Sequence, residues 1–85
     1  MKFDAGITSM HPELFCSDFP LELFESLFTR HFTGDWGSVS PEVWTSNEQA
    51  ITHGGELVSL YTIPNGRIIK IVTNTQRSGT TAFYV

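Results

Sequence analysis

Cysteine is almost absent from this 85-residue sequence: Cys16 stands alone. No disulfide closes within the chain, and such usage reads as that of an intracellular, cytoplasmic protein. Long apolar runs are absent too. No stretch approaches the roughly 18–20 apolar residues that a membrane span requires. Behind Met1-Lys2-Phe3-Asp4 there is no apolar segment from which a secretory signal is read. Cations are few, five against nine carboxylates, for a net charge of −4 and a sequence pI near 5.1. That balance disfavours non-specific nucleic-acid binding, which rests on neutralising many phosphates. Repeats, linkers and low-complexity stretches are missing, so residues 1–85 read as one domain. What is plentiful is aromatic: seven Phe, two Trp and two Tyr. With charged residues at only 16%, they argue for a folded core rather than disorder. A domain this small buries roughly 60–65% of its unfolded surface, enough for one layered core but not for a deep enclosed pocket.

The charge is unevenly spread. All nine acids (Asp4, Glu13, Asp18, Glu22, Glu25, Asp35, Glu42, Glu48 and Glu56) lie in residues 1–56, where only Lys2 and Arg30 oppose them, a net of −7. Residues 57–85 carry Arg67, Lys70 and Arg77 with no carboxylate, a net of +3. If the halves form separate layers, the molecule has an acidic side and a weakly basic one. An acidic side suits a basic surface on a partner, although ordinary solubilising charge produces the same count.

Hydrophobic periodicity divides the chain near Gly54-Gly55, helical before and strand-like after. Phe3–Thr8 reads as a short edge strand, and His11–Phe15 as one helical turn with Pro12 in it. A helix then starts at Asp18 as N-cap with Pro20 in its first turn. Leu21, Phe24, Leu27, Phe28 and Phe32 form its apolar stripe, and Gly34 stops it. Ser40-Pro41-Glu42 opens the next helix, whose face carries Val43, Trp44, Asn47, Ala50 and Ile51. Leu57–Ile63, Arg67–Thr73 and Thr80–Val85 read as strands, the first two joined by a Pro64-Asn65 type I turn with Gly66 left-handed. The expected fold is α+β: a helical layer over about residues 11–53 packed on one face of a three- to four-stranded antiparallel sheet, its meander over about 56–85. Phe24, Leu27 and Phe28 are expected to bury against the face carrying Tyr61 and Ile71.

Catalytic and metal signatures are thin. His11 and Cys16, His31 and Asp35, and the lone His53 have no spacing that closes a tetrahedral metal site. The His31–Asp35 pair at a helix end reads as a surface contact or a cap. Cys16 is followed by Ser17-Asp18, an acidic rather than an activating neighbourhood for a thiolate. Glu22 and Glu25 are neighbours on a polar helix face, where nothing separates their proton affinities. Gly34-Asp35-Trp36-Gly37 follows a helix rather than a strand, so it reads as a helix stop with Trp36 packed on the core, not a phosphate cradle. Trp44, Tyr61 and Tyr84 beside Arg67, Lys70 and Arg77 would make a base-stacking platform if they shared a face. Alternation, however, puts Tyr61 on the core side. No cofactor or metal is expected.

The strings Arg30-His31-x-x-Gly34-Asp35-Trp36-Gly37, Asn47-x-x-Ala50, Ser59-x-Tyr61, Ile71-x-Thr73 and Arg77-Ser78-x-Thr80-Thr81 resemble a family of small plasmid- and phage-borne bacterial proteins. Its members are usually labelled "plasmid-related protein" and sometimes "type I restriction endonuclease subunit M". The likeness covers roughly residues 20–82. Asn74 and Gln76 depart from it, standing where the family typically has acids. The chain is far too short for a methyltransferase subunit, which sets the second label aside. The resemblance implies a home on mobile elements, whose small acidic proteins often bind and block host defence machinery. The expectation is therefore a non-enzymatic protein-binding accessory protein, an inhibitor of anti-CRISPR type in the bacterial cytoplasm. Its working surface would be Glu22, Glu25, Glu42 and Glu48 with Trp44 as anchor. The rivals are a nucleic-acid-binding sheet using Arg67, Lys70 and Arg77, and a small nucleotide-binding or enzymatic centre around Asp35, His31, Arg77 and Ser78. The resemblance also suggests that Arg77 pairs with Asp35.

Overall fold

A computed structural model describes residues 3–15 and 20–85. Its elements run β1 (Ile7–Met10), α1 (Pro12–Phe15), α2 (Leu21–Phe32), α3 (Pro41–His53), β2 (Leu57–Thr62), β3 (Ile68–Thr73) and β4 (Gly79–Tyr84). The four strands form one sheet in the order β1-β4-β3-β2. The α+β class and the helices on one face are as the periodicity predicts. The sheet itself is mixed: β2–β3 and β3–β4 are antiparallel, whereas β1 lies parallel to β4.

That parallel strand departs from the all-antiparallel expectation, and it also starts later than Phe3. Gly6 explains both. At φ +64 it turns the chain hard against the β3–β4 turn, where an added Cβ would fall 2.2 Å from the Ser78 carbonyl carbon. The backbone of residues 3–6 is thus spent on the approach, and pairing begins at Ile7 opposite Gly79.

The helix ends follow local rules. Ser40 caps α3, accepting from the Val43 N–H at 3.2 Å, with Pro41 in the first position. Pro20 occupies the N-cap position of α2, two residues later than expected. The anticipated cap, Asp18, lies outside the described residues, as does Cys16. Gly34 (φ 85) follows the end of α2, and Gly66 (φ 86) closes the β2–β3 turn, both left-handed as expected.

Alternation along the strands separates two faces. Leu57, Ser59, Tyr61, Ile69, Ile71, Thr73, Thr80 and Ala82 are all buried beneath the helices. One cluster joins Leu27 and Phe28 of α2 and Leu14 of α1 to Tyr61, Ile69, Ile71 and Ala82, with Phe24 partly buried beside them. A second gathers Trp36, Ala50 and Leu57 under α3. The opposite face, with Val58, Leu60, Lys70, Val72 and Phe83, is only half buried.

The two sheet edges differ. Along β2, Leu60 donates to the Trp36 carbonyl at 3.1 Å and accepts from the Ser38 N–H at 2.7 Å. The Asn47 amide takes both backbone groups of Val58, donating to its carbonyl at 2.7 Å and accepting from its N–H at 3.1 Å. Along the outer side of β1, no strand pairs among the described residues.

Candidate functional site

Many residues of the strings singled out in the sequence are cross-links between elements, some in the core and some, like Arg30 and Asp35, at the surface. His31 comes off the last turn of α2 and is wholly buried between Ser59 of β2 and Thr73 of β3. Proton directions around it follow from the far end of the chain of bonds. Thr80 spends its hydroxyl proton on the Ala5 carbonyl at 2.8 Å. Thr73 therefore donates to Thr80 at 2.7 Å and accepts from His31 Nε2–H at 2.9 Å. Nδ1 is left without a proton and accepts from the Ser59 hydroxyl. Phe3, Phe32 and Trp36 pack their rings around the imidazole at 5.4–5.9 Å. Burial accordingly pushes the His31 pKa down to about 4.

A serine hydroxyl aimed at an imidazole nitrogen has the polarity of a nucleophilic dyad. Both side chains here have no exposed surface, however, so no substrate atom reaches Ser59 Oγ. The surface role read for His31 is thus overturned: the helix stripe rotates it inward, where two strand hydroxyls satisfy it. Sequence reasoning missed this network. Its signal was the recurrence of Ser59, Thr73 and Thr80 at inward strand positions that otherwise hold Leu57, Tyr61, Ile71 and Ala82.

The Gly-Asp-Trp-Gly turn is architectural. Asp35 accepts from Arg30 Nε at 2.8 Å and from Arg30 Nη2 at 3.3 Å. This pairing holds the Asp35 carboxyl below its ordinary range and raises the Arg30 guanidinium. Tyr61 donates to the Asp35 carbonyl at 2.7 Å, and burial raises its phenol to about 12. The Arg30 guanidinium lies 4.5 Å from the Tyr61 ring centre. Trp36 is fully buried with its indole N–H on Glu48 at 3.0 Å.

The expected Arg77–Asp35 pair does not form. Arg77 instead reaches the C-terminal end of α3, donating to the Ala50 carbonyl at 2.9 Å and the Gly55 carbonyl at 2.6 Å. It also donates to the carbonyl of Asn74 at 2.9 Å. The carbonyl-rich negative end of a helix competes for a guanidinium as a carboxylate does, and Asp35 has a nearer arginine five residues away. Asn74 in turn organises the β3–β4 turn, accepting from the Ser78 N–H at 2.9 Å and donating to Ser78 Oγ at 2.9 Å. Asp35, His31, Arg77 and Ser78 therefore have separate partners and do not meet in one pocket. Among the described residues, no group of three His, Cys, Asp or Glu side chains is placed to hold a metal.

Glu22 and Glu25 on α2, and Glu42 and Trp44 on α3, are exposed. Glu48 is exposed as well, though tied to Trp36. The basic residues do not form a patch. Arg67 stacks 3.5 Å over Tyr84 and faces Glu13 at 3.6 Å, Lys70 stands on the outer sheet face near Phe83, and Arg77 points into α3. Tyr61 is buried, and Tyr84 lies with the core cluster. The base-stacking platform is therefore broken up.

Two of the surface depressions are lined by described residues. One of about 430 Å³ lies on the outer sheet face among Glu56, Val58, Lys70, Val72 and Phe83. The other, about 400 Å³, lies between β1 and α2, lined by Thr8, Phe24, Glu25, Phe28, Thr29 and Phe32. No helix among the described residues is long and apolar enough to cross a membrane. Compared with family models, with curated proteins and with solved structures, the chain matches none.

Proposed function

We propose that this chain is a non-enzymatic accessory protein of phage or plasmid origin that works by binding a protein or protein complex of its bacterial host. An inhibitor of a host defence system, of anti-CRISPR type, is the form of that activity its small acidic domain suits best. One observation carries the reading. The residues from which a small catalytic centre would be assembled are tied to separate partners and do not converge, whereas Glu22, Glu25, Glu42 and Trp44 stand exposed on the helices. Acidic groups around an exposed aromatic are the composition of a steered docking surface: charges speed encounter and the ring supplies affinity. The plasmid-related resemblance agrees with a mobile-element home, and its characteristic strings supply the frame that holds the helices in place.

The rival nucleic-acid reading has less behind it, since Arg67, Lys70 and Arg77 point to three different places. The deciding experiment is affinity capture from host lysate with the tagged chain, followed by mass spectrometry, run in parallel with Glu22→Lys/Glu42→Lys. A protein partner retained by the wild type and lost with the reversed acids supports the reading. A partner unaffected by the reversal but lost on Lys70→Glu assigns the work to the sheet and overturns the acidic surface.

A further inference from the structure

We infer that the outer edge of β1 is a strand-addition site, which an extended basic segment of the partner protein joins as a fifth strand. The inference rests on the protein-binding reading above and names its mode. It starts from the unequal treatment of the two sheet edges. An unpaired edge is a template for any passing strand, and folded proteins ordinarily blunt it. The β2 edge is blunted twice, by residues 36–38 against Leu60 and by the Asn47 amide against Val58.

At β1 no such device is found among the described residues. Ile7 donates to the Ser78 carbonyl at 3.0 Å and His11 to the Ala82 carbonyl at 2.9 Å. In a parallel pair the residues alternate, so Ile7 and Ser9 spend their backbone groups on β4, and His11 its N–H, while the His11 carbonyl accepts from Leu14. Thr8 and Met10 therefore turn their N–H and C=O outward. Ile7-Thr8-Ser9-Met10 contains no charge and no proline to deter pairing.

The surroundings specify the occupant. Side chains of an added strand would alternate between the two faces of the sheet. On the helical side they meet the depression of about 400 Å³ between β1 and α2, lined by Thr8, Phe24, Phe28 and Phe32, which suits an apolar side chain. On the other side they meet Ile7, which is 79% exposed. The groove wall also carries Glu25, with Glu22 one turn earlier on the same helix side, and no cation lines it. A second copy of this chain docking edge to edge would bring its own Glu22 and Glu25 to the same place, because a two-fold contact sets each patch against itself. The charge instead fits a segment in which apolar residues alternate with Lys or Arg. Main-chain bonds would supply affinity, and the groove would supply specificity.

The test pans phage-displayed random peptides against the full chain and synthesises the most enriched one as the probe. Enriched sequences are expected to alternate apolar residues with Lys or Arg. In the complex the Thr8 and Met10 amide protons, read by NMR hydrogen exchange, should slow by at least about tenfold as they acquire partners. N-methylating every second peptide residue should abolish binding in one register and spare it in the other. Glu25→Lys, at an exposed position, should weaken binding by about tenfold. Thr8 and Met10 exchanging at the free rate, equal tolerance of both methylation registers, or enrichment of acidic peptides would each overturn the inference. A host partner that binds without protecting these two amides overturns strand addition and leaves the protein-binding reading standing. Peptides that add to β1 while lysate capture yields no partner do the reverse.

Discussion

An imidazole that cannot reach water behaves as a titratable lock, and His31 is one. Its pKa is held to about 4 by burial, against an ordinary value of 6.5. The unfolded chain therefore binds a proton that the folded chain refuses throughout that interval. Stability from this group is fully present above about pH 6.5 and is lost as pH falls toward 4, by a total of about 3 kcal/mol. Protonation has a structural sense too, because Nδ1 would become a donor facing Ser59. Chemical denaturation at a series of pH values should show the midpoint falling between about pH 6.5 and 5, above the range where exposed carboxylates titrate. His31→Gln, less stable at neutral pH, should have a flatter profile over that interval. An equal slope in wild type and variant would remove His31 as the cause.

At the scale of elements, what the sequence made legible was local chemistry. Ser40-Pro41 announced α3, Pro64-Asn65-Gly66 announced a hairpin, and the Leu27–Phe28 stripe announced which side of α2 is buried. Each rests on a few consecutive residues. The parallel β1, the inward His31 and the true partner of Arg77 were not legible, because each depends on residues brought from far along the chain. Gly37 shows the difference in one residue: it reads as an ordinary turn glycine. In the fold its φ is 74 and an added Cβ would sit 2.0 Å from the Leu60 carbonyl oxygen and 2.7 Å from the Tyr61 ring. Gly66 has a similar φ, 86, but nothing within 4 Å of such a Cβ. Gly66→Ala should therefore cost only the left-handed penalty, about 1–2 kcal/mol, and leave the hairpin intact. Gly37→Ala should detach residues 36–38 from β2 and leave little folded protein by circular dichroism.

Arg77 is a second long-range element device, and its φ of 60 carries the same left-handed penalty without being glycine. Arg77→Gly relieves that backbone cost, so any remaining loss reports the helix-capping bonds, charge-assisted and worth about 1.5–3 kcal/mol. Urea denaturation should rank wild type above Arg77→Gly, and Arg77→Gly above Arg77→Ala. Lysine should not rescue, because a single ammonium cannot span the carbonyls of Ala50, Gly55 and Asn74. A glycine variant as stable as wild type would reduce the guanidinium bonds to bystanders.

On the scale of the whole molecule, the split between an acidic first part and a cationic second part acquires a shape. The helices that carry Glu22, Glu25, Glu42 and Glu48 cover one face of the sheet, and the other face is open. The cations do not make an opposing surface of equal strength: Arg67 leans on Tyr84 beside Glu13, and Arg77 is drawn into α3. Lys70 remains on the open face, with Glu56 in the same depression. The long-range field is therefore acidic on the helical side and weak on the sheet side. A field of that form acts on encounter more than on the docked complex. Two predictions can then be separated by kinetics once a partner is in hand. Glu22→Lys/Glu42→Lys should slow association several-fold at low salt and leave the dissociation rate nearly unchanged. The difference from wild type should shrink as ionic strength rises to about 0.5 M, where screening reaches within a few ångströms. Trp44→Ala should do the opposite, speeding dissociation at every salt concentration, because an anchoring ring acts after contact is made. Both variants change exposed positions, so their melting temperatures should stay close to that of the wild type. Acid reversal that leaves the association rate and its salt dependence untouched would mean that these carboxylates serve solubility alone.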